Sequence, residues 1–319
     1  MTRHRPRERT DRILLATDFS KSAQRAYEYA IALARPLHAT LDLLHVVKAA
    51  WPADELEAGS RTLRPLKTAA LLNLGRLARL ASEAGVQAKA HLAVGNPAAC
   101  ILDASLKIGT NLLVTGTSGR TGWDRLQLGS TAEELVRVSH SAVLTVREMV
   151  PGDPGHSLRR LEVRRLLVAT DFSADAEAAL SVACHLARAI EAELTIVHVV
   201  ADSGREGSGG AVRRSKDGLS SKGRSAGHAL DQLARDLAVE GVVIQTSCVQ
   251  GDPVEMLLRE AARCGTDILI AGTQGRNGLP RWLLGSVAET LIRRAACPVM
   301  TVKRSIDVRG TRKGVSCDR

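Results

Sequence analysis

The pentapeptide Ala16-Thr17-Asp18-Phe19-Ser20 returns residue for residue as Ala169-Thr170-Asp171-Phe172-Ser173, and this duplication constrains the fold more than any other feature of the chain. Further matches keep the same order. His45-Val46-Val47 is answered by His198-Val199-Val200, Gly95-Asn96-Pro97 by Gly251-Asp252-Pro253, and Ala142 to Val146 by Pro298 to Val302. With 319 residues there is room for two ordinary domains, and 45% apolar residues suffice for two cores. The expected division is a first domain over 10–148, a linker over 149–161 containing Pro151-Gly152-Asp153-Pro154-Gly155, a second domain over 162–304 and a basic tail over 305–319.

Within each copy, apolar runs alternate with helix-spaced segments. In the first, residues 12–17 read as a strand, and Ala23, Ala26, Tyr27, Ala30, Ile31 and Ala34 recur at helical spacing. Residues 40–47 read as a second strand, and the pattern lapses over 48–64. A helix is expected from Pro65 to Ala84, closed by Gly85, then a third strand from Val86 to Val94. Asn96 and Pro97 supply a cap and first turn for a helix to Ile108. A fourth strand, a glycine-rich loop, a helix to Val138 and a fifth strand over Ala142–Val146 complete the unit. The stretch from Ala201 to Gly227 is rich in Gly, Ser and charge and reads as a mobile loop. Strands alternating with helices imply a parallel sheet covered on both faces by right-handed crossovers.

The chemistry concentrates in a glycine ladder that also occurs twice. Gly116, Gly119, Gly129 and Ser130 form G-x2-G-x9-G-S, and Gly272, Gly275, Gly285 and Ser286 repeat it. Each copy lies between a strand and a helix, where main-chain N–H groups can converge on an anion without Cβ atoms in the way. Ser130 with Glu133, and Ser286 with Glu289, have the spacing of a capping box. Ligands of such sheets bind beyond the carboxyl ends of the strands where strand order reverses, so Asp18 and Gly116 would face one crevice if their strands are neighbours.

Composition narrows the alternatives. The net charge of +10 is concentrated partly at the two ends, and aromatic residues make up 2% of the chain, too few for a base-stacking platform, so nucleic acid is not the expected partner. No apolar run approaches the length of a membrane span, and the basic start has no apolar segment behind it; the expectation is a cytoplasmic protein with no membrane contact. Six cysteines without C-x-x-C or metal-ligand spacing argue against zinc and structural disulfides. His45 reads as a core-edge histidine rather than a ligand, and Trp123 and Trp282 as packing anchors. The loop has no G-x4-G-K-[ST], and its one carboxylate in the first copy, Asp124, is matched by Pro280 in the second. No catalytic residue is therefore assigned, and fast turnover is not expected.

In combination, Ala-Thr-Asp-Phe-Ser, Leu-His-Val-Val, the glycine ladder and Cys297-Pro298-Val299 resemble the universal stress protein family in a tandem form. The resemblance spans nearly the whole chain. It implies two Rossmann-like α/β domains of the adenine nucleotide alpha hydrolase type, each a five-stranded parallel sheet of order 3-2-1-4-5, and, for the subclass with this ladder, ATP with or without Mg2+. Carried across, Ala16, Asp18, Ala169 and Asp171 would contact the nucleoside, and the main chain of Val46 and Val199 the adenine edge. Gly116, Thr117, Gly119, Arg120, Gly129, Ser130 and Thr131 would hold phosphates in the first half. Gly272, Thr273, Gly275, Arg276, Gly285, Ser286 and Val287 would do so in the second. Asp18 alone also fits a plain turn residue. Both surviving ladders predict two competent sites, although Ser141-Ala142 and Thr131 depart from the pattern kept by Cys297-Pro298 and Val287. The implied role is an ATP-binding regulator of the stress response. The alternatives are a slow ATPase or phosphotransferase, and a scaffold that binds no nucleotide. The last strands of the halves would otherwise be bare edges, so an internal pseudo-dimer through them is expected, with a homodimer and a further protein partner left open.

Overall fold

The computed structural model describes residues 11–48, 60–117, 128–148, 161–201, 221–237, 242–275 and 284–304. In the first half these build β1 (Arg12–Ala16), α1 (Lys21–Ala34), β2 (Thr40–Val47), α2 (Ser60–Glu83), β3 (Ala88–Val94), α3 (Pro97–Ile108), β4 (Leu112–Gly116), α4 (Ser130–Val138) and β5 (Ala142–Val146). The second half repeats the series as β6 (Arg165–Ala169), α5 (Ala174–Ile190), β7 (Glu193–Val200), α6 (Ser221–Asp236), β8 (Ile244–Gln250), α7 (Pro253–Cys264), β9 (Ile268–Gly272), α8 (Ser286–Arg294) and β10 (Val299–Val302).

Helix starts repeat between halves because their caps do. Ser20 and Ser173 accept from Ala23 N and Ala176 N, opening α1 and α5. Asn96 and Asp252 accept from Ala99 N and Glu255 N, with proline next in line, opening α3 and α7. Gly109 and Gly265 close those two helices in the left-handed region. Two expectations need correction. The helix expected from Pro65 begins at Ser60 and carries Pro65 inside it, so Ser60–Arg64 belong to the helix and not to the preceding lapse. The stretch read as mobile to Gly227 turns helical at Ser221; residues 202–220 lie outside the described residues.

All ten strands form one sheet in the order β3-β2-β1-β4-β5-β10-β9-β6-β7-β8. Each half is parallel and ordered 3-2-1-4-5 in its own count, as the resemblance implies. The halves join by the antiparallel pairing of β5 with β10, which sets Val299 opposite Thr145, Met300 opposite Leu144 and Thr301 opposite Val143. What would have been two bare edges is thereby one buried seam, and the Thr145 hydroxyl adds a bond to Val299 O at 3.0 Å.

Side-chain alternation along the strands feeds two cores. Ile13, Leu15, Leu41 and Leu43 face one layer, packed with residues of α1, α2, α5 and α6; Leu14, Leu44 and Leu113 face the other, with α3, α4, α7 and α8. In α1 the sheet-facing side is built from Ala23, Ala26, Ala30 and Leu33, and the small alanines bring its first turn close to the end of β4.

Candidate functional site

β1 lies between β2 and β4, with Ala16 paired to Leu44 on one side and Thr115 on the other. The chain leaves β1 toward α1 and leaves β4 toward α4, so strand order reverses between them and the two departing loops share the carboxyl end of the sheet. β6 and β9 repeat the arrangement, Val168 pairing with Ile270. Asp18 and Asp171 sit in the first of these loops, partly buried. Each accepts a hydrogen bond from the main chain two residues on, Asp18 Oδ1 from Ser20 N and Asp171 Oδ1 from Ser173 N, both at 3.0 Å. The plain turn role is therefore real, and it uses one oxygen of each carboxylate.

The turn is strained in both halves. Phe19 and Phe172 hold φ of 63° and 60°, a region bulky L-residues seldom adopt and one that costs of order 1–3 kcal/mol. Two interactions hold them there. Thr17 Oγ1 and Thr170 Oγ1 accept from Phe19 N and Phe172 N at 3.1 Å, and each ring lies against a histidine, Phe19 on His45 with centroids 4.6 Å apart and Phe172 on His198 at 4.8 Å. Each histidine donates from Nδ1 to a carbonyl, Thr17 O or Thr170 O, at 2.7 Å. The expectation that His45 is a core-edge residue fits this geometry.

The glycine ladders have a more varied origin than expected. A Cβ on Gly116 would stand 2.5 Å from Ser22 Oγ and 3.0 Å from Ala23 N, and one on Gly272 would stand 2.8 Å from the carbonyl carbon of Asp175. These glycines let the first turn of α1 or α5 approach the end of the fourth strand. Gly129 and Gly285 donate to Thr117 O and Thr273 O at 2.8 Å, and a Cβ there would press on the same oxygens at 3.1 and 2.9 Å. Gly275 is the position whose missing side chain opens onto the aspartate: its Cβ would lie 2.9 Å from Asp171 Oδ2. In the second half the carboxylate of the loop after β6 thus faces the glycine turn after β9.

The expected capping boxes are absent. Gly129 and Gly285 are the N-caps of α4 and α8, without a side-chain cap bond, and Ser130 and Ser286 are the first helical residues, exposed. Glu133 and Glu289 consequently fall one position too late to reach back, because the close contact with Thr117 or Thr273 draws the glycine itself into the cap. One serine hydroxyl and the first-turn N–H groups stand at the start of α4 in the first half and of α8 in the second. Thr131 and Val287 follow them, partly buried, and Ala16, Ala169, Val46 and Val199 line the same end of the sheet. Thr117 and Thr273 are buried; the N–H of each is taken by the last strand of its half, Val146 O or Val302 O. Gly119, Arg120, Arg276, Trp123, Asp124, Pro280 and Trp282 lie outside the described residues.

Sequence reasoning missed Asp175. Its Oδ2 accepts from Thr273 Oγ1 at 2.7 Å and Gln274 N at 3.1 Å, and its Oδ1 from Arg304 N at 3.2 Å. The signal was available: Asp175 stands where the first copy has Ser22, at a helix start otherwise repeated closely.

The sequence profile described as the universal stress protein family matches residues 9–147 and again residues 162–303. The chain belongs to that family. A universal stress protein of Methanocaldococcus jannaschii is 32% identical over 143 residues, 44% of this chain and 82% of its own length. The universal stress protein YxiE of Bacillus subtilis is 31% identical over 145 residues, 44% of this chain and 98% of its own. Each such relative thus corresponds to about one half here. The crystal structure of a universal stress protein from Archaeoglobus fulgidus shares the fold across both halves, with a TM-score of 0.67 at 21% identity, covering 93% of this chain and 100% of its own.

Proposed function

We propose that this universal stress protein is an ATP-binding regulator in which each half, over 10–148 and 162–304, carries an adenine nucleotide crevice. The carrying observation is the approach of Asp171 Oδ2 to Gly275 beside the exposed first turn of α8: a carboxylate able to take ribose hydroxyls stands next to a cradle of donors suited to phosphate. In this reading the Asp18 and Asp171 carboxylates take the ribose hydroxyls, and Val46 and Val199 read the adenine edge. Ser130, Thr131, Ser286 and Val287 present first-turn N–H groups to the phosphates, supported by Gly119 and Arg120 or by Gly275 and Arg276. A helix terminus contributes only about 0.3–1 kcal/mol to an exposed anion, and micromolar binding needs about 8 kcal/mol, so adenine burial and several donors must act together. Mg2+ would accompany the phosphates. The regulatory and cytoplasmic assignments follow the family, and a homodimer or a protein partner would read the occupied state.

The test is native mass spectrometry of the purified chain followed by equilibrium dialysis with ATP. Bound ATP, weakened about tenfold or more in Asp18→Asn/Asp171→Asn, is expected, since a hydrogen bond to a charged acceptor contributes about 1.5–3 kcal/mol and asparagine keeps the turn bond. A folded chain that binds no ATP leaves the scaffold reading. Sustained phosphate release abolished by the same double substitution turns the assignment to a slow ATPase or phosphotransferase.

A further inference from the structure

We infer that Lys303 and Arg147 are positioning residues of the two crevices and that each serves the crevice of the opposite half, Lys303 the first and Arg147 the second. This deepens, and rests on, the nucleotide reading above, which puts phosphates at the first turns of α4 and α8. Each of those helices has nine residues, a length of about 13–14 Å, and a helix so short holds its shape only where its surroundings fix both ends. The phosphate end is fixed within its own half, Gly129 N donating to Thr117 O and Gly285 N to Thr273 O at 2.8 Å. The far end is not. Helices α3 and α7 stop on Gly109 and Gly265, each in the left-handed region with its N–H shared between two carbonyls of the last turn. In α4 and α8 the C-caps are Ser139 and Ala295, which leave in extended backbone with ψ of 142° and 139° and return one bond each, to Leu135 O and Leu291 O. The carbonyls that follow look outside the helix for donors.

Those donors come from across the seam. Because β5 and β10 run antiparallel, the residue after each strand emerges beside the other half. Lys303, the first residue after β10, donates from Nζ to Arg137 O of α4 at 2.8 Å. Arg147, the first after β5, donates from Nη1 to Ala295 O at the end of α8 at 3.3 Å. The two residues hold equivalent places in the duplicated chain, so the same exchange is built twice. A cationic donor at a helix C-terminus satisfies a carbonyl and opposes the negative end of the helix dipole together. The helices' own cations do not take this place. Arg293 and Arg294 of α8 turn to Glu289 and Glu255 at 2.8 and 2.7 Å, and the Arg137 side chain is exposed. Without the donor from the other half, the last turn frays and the rod that aims the N–H groups at Ser130 or Ser286 keeps only one fixed end.

The experiment measures ATP binding to the full chain by equilibrium dialysis, with 8-azido-ATP labelling and peptide mapping to assign each affinity to a half. Lys303→Met removes donor and charge together. It should weaken ATP at the first crevice about three- to fivefold, the size of a cation's contribution at a helix C-terminus, and change the second less than about twofold. Arg147→Met should do the reverse. Lys303→Arg and Arg147→Lys keep a cationic donor and should stay within about twofold of the unmodified chain at both crevices. A role in packing alone would lower the urea midpoint while leaving the affinities unchanged or weakening both crevices alike. Either of those results, or weakening in the half that carries the substitution, would overturn the inference while sparing the nucleotide reading. Failure of the unmodified chain to bind ATP at either crevice would overturn both.

Discussion

At the scale of single residues the halves differ most where a polar group is buried. Asp42, fully buried in β2, accepts from Arg12 Nε at 3.0 Å and from Arg12 Nη2 at 2.7 and 2.9 Å, and faces His91 Nε2 at 2.7 Å. The second half has Thr195 in the same register and has no need of the cluster. Removing one partner of a buried ion pair costs about 3–5 kcal/mol, because the remaining charge is stranded, whereas removing the charge itself costs less. Arg12→Ala should therefore destabilise by about 3 kcal/mol and Asp42→Thr by clearly less, since the partly exposed Arg12 can turn to water. Urea midpoints compare the two, and the reverse order would refute the account. The glycines at the strand ends make a second contrast. Gly116→Ala meets a serine hydroxyl first, which can rotate, but Gly272→Ala meets main-chain atoms at 2.8 and 2.9 Å. Overpacking of this kind costs about 1–3 kcal/mol, and Gly272→Ala should lie at the upper end and Gly116→Ala nearer the lower, in the same titration.

At the scale of elements, helix starts that carry their own cap could be read in advance and those set by a neighbouring loop could not. Asn96-Pro97 and Asp252-Pro253 announce α3 and α7 because the capping oxygen and the fixed proline φ are local. Asn96→Ala and Asp252→Ala should each cost about 1 kcal/mol, and the double variant about their sum, given sites in separate halves; thermal or urea melts would expose a departure from additivity. The Ser130–Glu133 spacing promised a capping box, but the cap falls on Gly129, because the tight contact of that residue with Thr117 O is made by a segment distant in sequence. The same limit applies to Asp175. Its residue type is plain in the sequence, but its bonds to Thr273 and Arg304 span 98 and 129 positions, and no periodicity encodes them. Strand order within each half was legible only through the family resemblance, whereas the joining of the two last strands was legible through the duplication, since a five-strand α/β unit met twice leaves few ways to protect its last edge.

At the scale of the molecule, that shared seam makes one sheet of two units, so ionisations in either half bear on a single framework. Burial pushes Tyr29 from 10.0 up to about 12, aided by nearby Asp267 and Cys297 and opposed by Arg25; Tyr27 rises equally, by burial and then the Glu83 charge. Desolvation likewise carries the Cys297 thiol from 9.0 to about 11. All three groups hold their protons more firmly folded than unfolded, so their contribution is complete below the unfolded values and is lost as pH climbs, over about 9 to 11 for Cys297 and about 10 to 12 for the tyrosines. Lys303 acts in the opposite sense: burial lowers its value, so the unfolded chain binds its proton more tightly and stability gains as pH rises toward 10.5. These losses, to which the Cys184 and Cys248 thiols add because burial raises them too, outweigh the one gain at Lys303 and predict a urea midpoint that is level through neutrality and falls above about pH 9. Replacing Cys297 by serine should delay the onset, and Tyr29→Phe should flatten the later part of the fall. A midpoint unchanged to the upper end of the tyrosine window would mean that these side chains reach water in the folded protein, and that the packing of α1 and of the turn before β10 against the sheet is looser than described.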